Sequence, residues 1–154
     1  MNWNAIGAIV ELLGVIVVFA SLIYLAIQTR DNTRELRSSA FHQVRQSFSE
    51  VSLAMAMEPE IANFVARAAL SGSELTDEEI VRYGFMLTTL IRRGESAYFQ
   101  SSEGTLQMEA WRGIRDTLVG ALNNDYGRVW FSNSSSRFTN EYAEEISKAL
   151  ASVT

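Results

Sequence analysis

Residues Ala5 to Ile27 form an unbroken apolar run, AIGAIVELLGVIVVFASLIYLAI, whose only carboxylate is Glu11. About 20 apolar residues in a helix suffice to cross roughly 30 Å of hydrocarbon, so the run predicts a membrane-spanning helix with a little tilt. A cleaved signal peptide fits poorly, because no basic residue precedes the run and the run exceeds the usual apolar core of such peptides. Trp3 stands just outside one end, as an interfacial aromatic should, and Arg30, Arg34 and Arg37 follow the other end, with Arg45 further on. The excess of arginine on that side predicts an outside N-terminus and a cytoplasmic remainder.

Glu11 raises the next question, since a carboxylate in hydrocarbon costs several kcal/mol unless it faces a partner or water. Steps of seven from Gly7 give Gly7, Gly14, Ser21 and Gln28; the positions four further along are Glu11, Val18, Leu25 and Asn32. These residues make one a/d-type seam on a helix. The seam collects the glycines of the run, its serine and its charge, while the remaining faces carry residues such as Leu12, Ile16, Phe19 and Ile23. Small residues on one face let membrane helices approach closely, and intramembrane carboxylates turn inward. Both arguments predict that Glu11 faces other copies of the chain. Two forms of that assembly stay open: a closed oligomeric anchor, or a pore in which Glu11 rings attract cations and Val18 and Leu25 rings constrict.

Beyond the run the same register continues through Glu35, Ser39 and His42, a candidate ring around a cytoplasmic axis. A separate apolar stripe, Phe41, Val44, Phe48, Val51 and Met55, has helical spacing and predicts packing against the rest of the chain. One helix from about residue 5 to 57 is therefore expected, ending at Glu58-Pro59, where proline cannot continue it.

The rest of the 154 residues reads as helices with short breaks. Ile61, Phe64, Val65 and Ala68 mark a short helix. After the loop SGSEL, Thr76 and Glu79 have capping-box spacing. Ile80, Tyr83, Leu87, Leu90, Ile91 and Tyr98 then define a core face, with Gly84 and Gly94 placed for close helix crossing. Met108, Trp111, Ile114, Leu118 and Leu122 mark another helix. NNDYG, RVWF and SNSSS read as a turn, a short aromatic turn and a polar connection, before a last helix carrying Tyr142, Ile146, Ala149 and Leu150. The expectation is a bundle of four to five helices, counting the extension of the first.

Several chemistries are disfavoured. The chain has no cysteine, which removes disulfides and thiolate metal sites, and its single histidine, His42, makes a zinc site within one chain improbable. A net charge of −5 argues against nucleic acid as a partner. No phosphate-binding glycine loop or nucleophile elbow occurs. Any triad would depend on His42, which lies beside an aromatic stripe on a helix; Arg92-Arg93 reads as a solvated pair. Trp111, Tyr126, Trp130, Phe131 and Phe138 read as core aromatics, with a pocket as the other option. No catalytic residue, cofactor or metal ligand is assigned.

The segment with Trp3, Ala5, Ile6, Gly7, Glu11 and Gly14, followed by Tyr24, Leu25, Ala26, Gln28, Arg30, Asn32 and Thr33, resembles the opening of a set of small bacterial membrane-anchored proteins. Their pattern is W-x-A-I-G-A-I-x-E-x-x-G and then Y-L-A-x-Q-x-R-x-N-T. GRVWF and SRFTNEYAEEI are similar to that family's late aromatic turn and last helix, although a second Trp commonly stands there where this chain has Phe131. The resemblance implies a bacterial inner membrane and a helical cytoplasmic domain; the family brings no activity, cofactor or catalytic residue.

Taken together, the sequence predicts an all-α chain: residues 1–28 in the membrane, 29–57 as a cytoplasmic extension of that helix, and 58–154 as a helical domain packed on the extension. The expected function is a non-enzymatic single-pass inner-membrane protein that self-associates through Gly7, Glu11, Gly14, Ser21 and Gln28. Its partners would be the lipid bilayer and its own copies. Two other functions stay open: a small homo-oligomeric cation channel with a Glu11 ring, and an anchored adaptor for an unidentified cytoplasmic protein.

Overall fold

The computed structural model describes residues 3–70 and 75–153; for residues 3–6, 8–10 and 55 it describes the helical backbone only. Six helices and no strand are found among them. In order they are α1 (Trp3–Met57), α2 (Pro59–Leu70), α3 (Asp77–Ser102), α4 (Met108–Leu122), α5 (Asp125–Ser134) and α6 (Asn140–Ala151), with a single 3-10 turn at Ser135–Arg137 between the last two. The chain divides into two compact units, Met1–Ser39 and Ala40–Thr154.

Within the first unit the apolar surface of α1 is exposed among the described residues. Leu12, Leu13, Ile16, Val17, Phe19, Leu22 and Ile23 are all exposed. This part of α1 carries the apolar window that is long enough to cross a membrane, with mean hydropathy 2.3 and none of it buried. A helix apolar all round is ordinarily found inside a large protein or within a bilayer.

The second unit is a helical bundle. Its core joins Val44 of α1 and Phe64 and Ala68 of α2 to the inner faces of α3 to α6. The most enclosed side chains are Leu87 and Ile91 of α3, Trp111, Leu118 and Leu122 of α4, and Tyr142 and Ile146 of α6. These positions follow the helical spacing legible in the sequence, apart from Met108, which is exposed in the first turn of α4. Tyr98, Trp111 and Tyr142 meet with ring centres 5.3 to 6.0 Å apart. The phenol of Tyr142 donates to the carbonyl of Ile91 at 2.9 Å, which satisfies a polar group inside the core. Burial, with a smaller contribution from nearby Glu95, pushes that phenol well above its ordinary range, so it remains a donor.

The helix ends obey local chemistry. Pro59 opens α2 at the first helical position, where the missing N–H costs nothing. Thr76 and Glu79 form the capping box at the start of α3, each accepting from the other's backbone N–H. The same Glu79 takes a second partner, Arg67 of α2. The bond from the Thr76 backbone, followed by that from Arg67, holds the Glu79 carboxyl below the usual carboxylate value. Most of the preceding loop, residues 71–74, lies outside the described residues, but Leu75 at its end is buried in the core.

The stretch from 124 to 137 corrects the sequence reading. NNDYG, RVWF and SNSSS predict a turn, a short aromatic turn and a polar connection; the stretch is instead helix α5 followed by the 3-10 turn. The cause is a cap: the Asn124 side chain accepts from the Gly127 N–H at 2.8 Å, and Asp125 sits favourably in the first turn. Gly127 is there for space rather than for a turn, since an added Cβ would lie 2.7 Å from the Leu122 carbonyl oxygen. The bundle thus has one helix more than expected.

Gly94 is the tightest point of the bundle. A Cβ on it would come within 2.2 Å of a Leu118 methyl and 2.6 Å of the Tyr142 hydroxyl. Gly113, within α4, has open space at the same position. Gly94→Ala is therefore expected to destabilise the bundle by about 1–3 kcal/mol. Gly113→Ala should stabilise it by about 0.5–1 kcal/mol through helix propensity. Urea unfolding of the full chain in detergent, followed by tryptophan fluorescence, gives both values.

Candidate functional site

The surface that the sequence singles out lies on α1 within the first unit. At about 100° per residue, Gly7, Glu11, Gly14, Val18, Ser21, Leu25, Gln28 and Asn32 fall inside an arc of about 100°. All eight are exposed. An added Cβ at Gly7 or Gly14 would meet nothing within 4 Å, so neither glycine is explained by packing among the described residues. The hydroxyls on this stretch bond back to their own helix: Ser21 donates to the Val17 carbonyl at 2.8 Å, and Thr29 to that of Leu25 at 2.8 Å. Glu11 has no ion-pair partner among the described residues. The arc is consequently smooth at two glycines, apolar at Val18 and Leu25, and polar through one carboxylate and two amides.

The other predicted positions are distributed as follows. Arg30, Arg34 and Arg37 are exposed on α1 and have no acidic partner among the described residues. The Trp3 side chain lies outside the described residues. Glu35, Ser39 and His42 are exposed; the His42 ring meets the edge of Phe41, with ring centres 6.2 Å apart. Among the described residues no three His, Asp or Glu side chains gather where they could hold a metal ion.

The five aromatics separate into two sets. Trp111, Phe131 and Phe138 are core. Tyr126 and Trp130 are half-buried and line a groove of about 340 Å³ with Ile80, Gly84 and Phe85. The Tyr126 hydroxyl donates to the Ile80 carbonyl at 3.0 Å, which makes it a tie between α5 and α3. A larger groove of about 910 Å³ runs along residues 41–56 and α4, with Phe41, Val44, Phe48, Leu53 and Ile114 in its walls. A third, of about 430 Å³, holds Arg115, Asp116, Glu145 and Lys148. There Arg115 pairs with Asp116 at 3.0 Å and Glu145 at 3.2 Å, so its charges are largely spent on one another.

Three charged residues have roles that sequence spacing did not reveal. The sequence reads Arg92 and Arg93 as a solvated pair; Arg92 is exposed, but it also bonds the Arg137 carbonyl at 2.8 Å, pairs with Glu95 at 2.9 Å and lies 5.0 Å over the Phe138 ring. Arg93 donates to the Ser47 carbonyl and reaches Glu50 at 3.6 Å. Glu95 is buried and accepts from the Thr139 N–H at 2.7 Å and its hydroxyl at 3.1 Å. It thereby caps α6 from another helix, because Thr139 makes no side-chain cap of its own. The only hint in the sequence is a carboxylate on the buried side of α3 next to Gly94.

No family model, curated protein or solved structure matches the chain.

Glu95→Ala should cost about 1–3 kcal/mol, because it leaves the Thr139 N–H without its acceptor and removes one of the two that Arg92 has. Glu95→Gln, which keeps an amide oxygen, should cost less. Urea unfolding of the two variants side by side measures the difference.

Proposed function

We propose that the chain is a non-enzymatic, single-span protein of the bacterial inner membrane that assembles with copies of itself along the Gly7, Glu11, Gly14, Ser21 and Gln28 face. The N-terminus lies outside, and the helical unit from residue 40 onward is displayed in the cytoplasm. One observation carries this reading. The glycines and the one acid of the exposed apolar run share one arc, and no described residue occupies the space beside those glycines.

The physics supports each part. A bilayer removes the apolar faces from water without any protein partner, at roughly 25 cal/mol per Å². A second helix against Gly7 and Gly14 gains close backbone contact, which drives association where the hydrophobic effect does not. Glu11 then faces neighbouring copies and their water or hydrogen-bonding groups instead of acyl chains. The arginines after the run support the orientation, and the similarity of the opening segment to membrane-anchored bacterial proteins supports the location. Conduction through a Glu11 ring would be one use of such an assembly, and bilayer recording of wild type against Glu11→Gln tests it separately.

The native chain has no cysteine, so introduced thiols report contacts cleanly. Single cysteines at Gly14, Ser21 or Gln28 should cross-link into dimers under mild oxidation in membranes. Cysteines at Ile16, Phe19 or Ile23, on the opposite side, should remain monomeric. Equal cross-linking at both sets of positions, or at neither, contradicts the proposed face.

A further inference from the structure

Within the first unit the charges of α1 are sorted by side. At about 100° per residue, Arg30, Arg34 and Arg37 fall inside an arc of about 60°. Asp31 and Glu35 stand apart from the middle of that arc by about 90–130°. The three guanidinium groups are exposed and make no ion pair with either acid or with any other described residue. Towards the N-terminus the same edge carries Leu12, Ile16, Phe19 and Ile23, all exposed. The centre of the glycine-bearing arc is about 160° away from this edge.

We propose that Arg30, Arg34 and Arg37 form a binding surface for anionic phospholipid headgroups on the cytoplasmic leaflet. The inference rests on the membrane-spanning reading above and extends it to a lipid class. An edge that is apolar through the span and turned away from the seam faces acyl chains, and its continuation meets the headgroups of those same lipids. Arg30 lies about 4.5 Å along the axis beyond Ile27, and Arg37 about 15 Å. The interfacial layer occupies roughly 5–8 Å on each side of the hydrocarbon. Side chains on a helix lean towards its N-terminus, which here is the direction of the membrane, so Arg34 reaches back into that layer and Arg37 comes to its outer edge. Each guanidinium presents a planar fork of donors suited to phosphate oxygens, and none is already committed to a carboxylate. Asp31 and Glu35, on neighbouring faces, leave the edge itself wholly cationic.

The test uses the full chain reconstituted into vesicles of equal parts phosphatidylglycerol and phosphatidylcholine. The protein is then extracted in mild detergent, and the retained lipid is quantified by mass spectrometry. Wild type should retain phosphatidylglycerol in clear excess. Combined Arg30→Gln, Arg34→Gln and Arg37→Gln should remove most of that excess. Asp31→Asn with Glu35→Gln should keep or increase it, as should an Arg82→Gln control in the other unit. Vesicle incorporation is scored first: a chain that fails to incorporate overturns both the span and the lipid surface. A chain that incorporates but shows no excess, or a triple variant that keeps the wild-type excess, overturns the lipid surface alone.

Discussion

The surface of α1 between Glu11 and Ile27 sets the terms for everything else. Within the first unit it is apolar on almost every side and exposed. In water such a surface drives association or insertion. A bilayer would cover the lipid-like faces at once, which leaves the one arc that is not lipid-like. That arc bears glycine, amide and carboxylate, the residue types that make membrane helices adhere to each other.

The second unit is stabilised quite differently. Its centre is the approach of α3 to α4 and α6 at Gly94, where a methyl of Leu118 and the hydroxyl of Tyr142 occupy the space a side chain would have used. The Tyr142–Ile91 hydrogen bond and the Glu95 cap of α6 lie on the same helix as that contact. Close packing and satisfied polar groups therefore reinforce each other along α3, which favours one arrangement of the bundle over its competitors.

Long periodic features were legible from residues alone. Leu87, Ile91, Leu118 and Ile146 recur at helical spacing and are buried; Thr76 and Glu79 have the spacing of a reciprocal cap and make one. What escaped was α5, because Asn124, Asp125 and Gly127 belong equally to turns and to helix starts, and only the fit of Gly127 against Leu122 decides between them. Glu95 and Arg92 escaped for another reason: their partners lie more than forty residues away, at Arg137 and Thr139, and no local pattern encodes such a pairing. The α1 seam was visible as a pattern, yet a pattern states which residues share an edge and leaves open what meets it.

The measurement that bears most directly on the account is the mass of the purified particle with its detergent or lipid subtracted, by light scattering or native mass spectrometry. The account predicts a discrete multiple of 17.2 kDa. Replacing Gly7 and Gly14 by leucine should reduce it to a single chain while the bundle stays folded. A wild-type particle containing one chain, or a leucine variant with the wild-type mass, would contradict self-association through this edge.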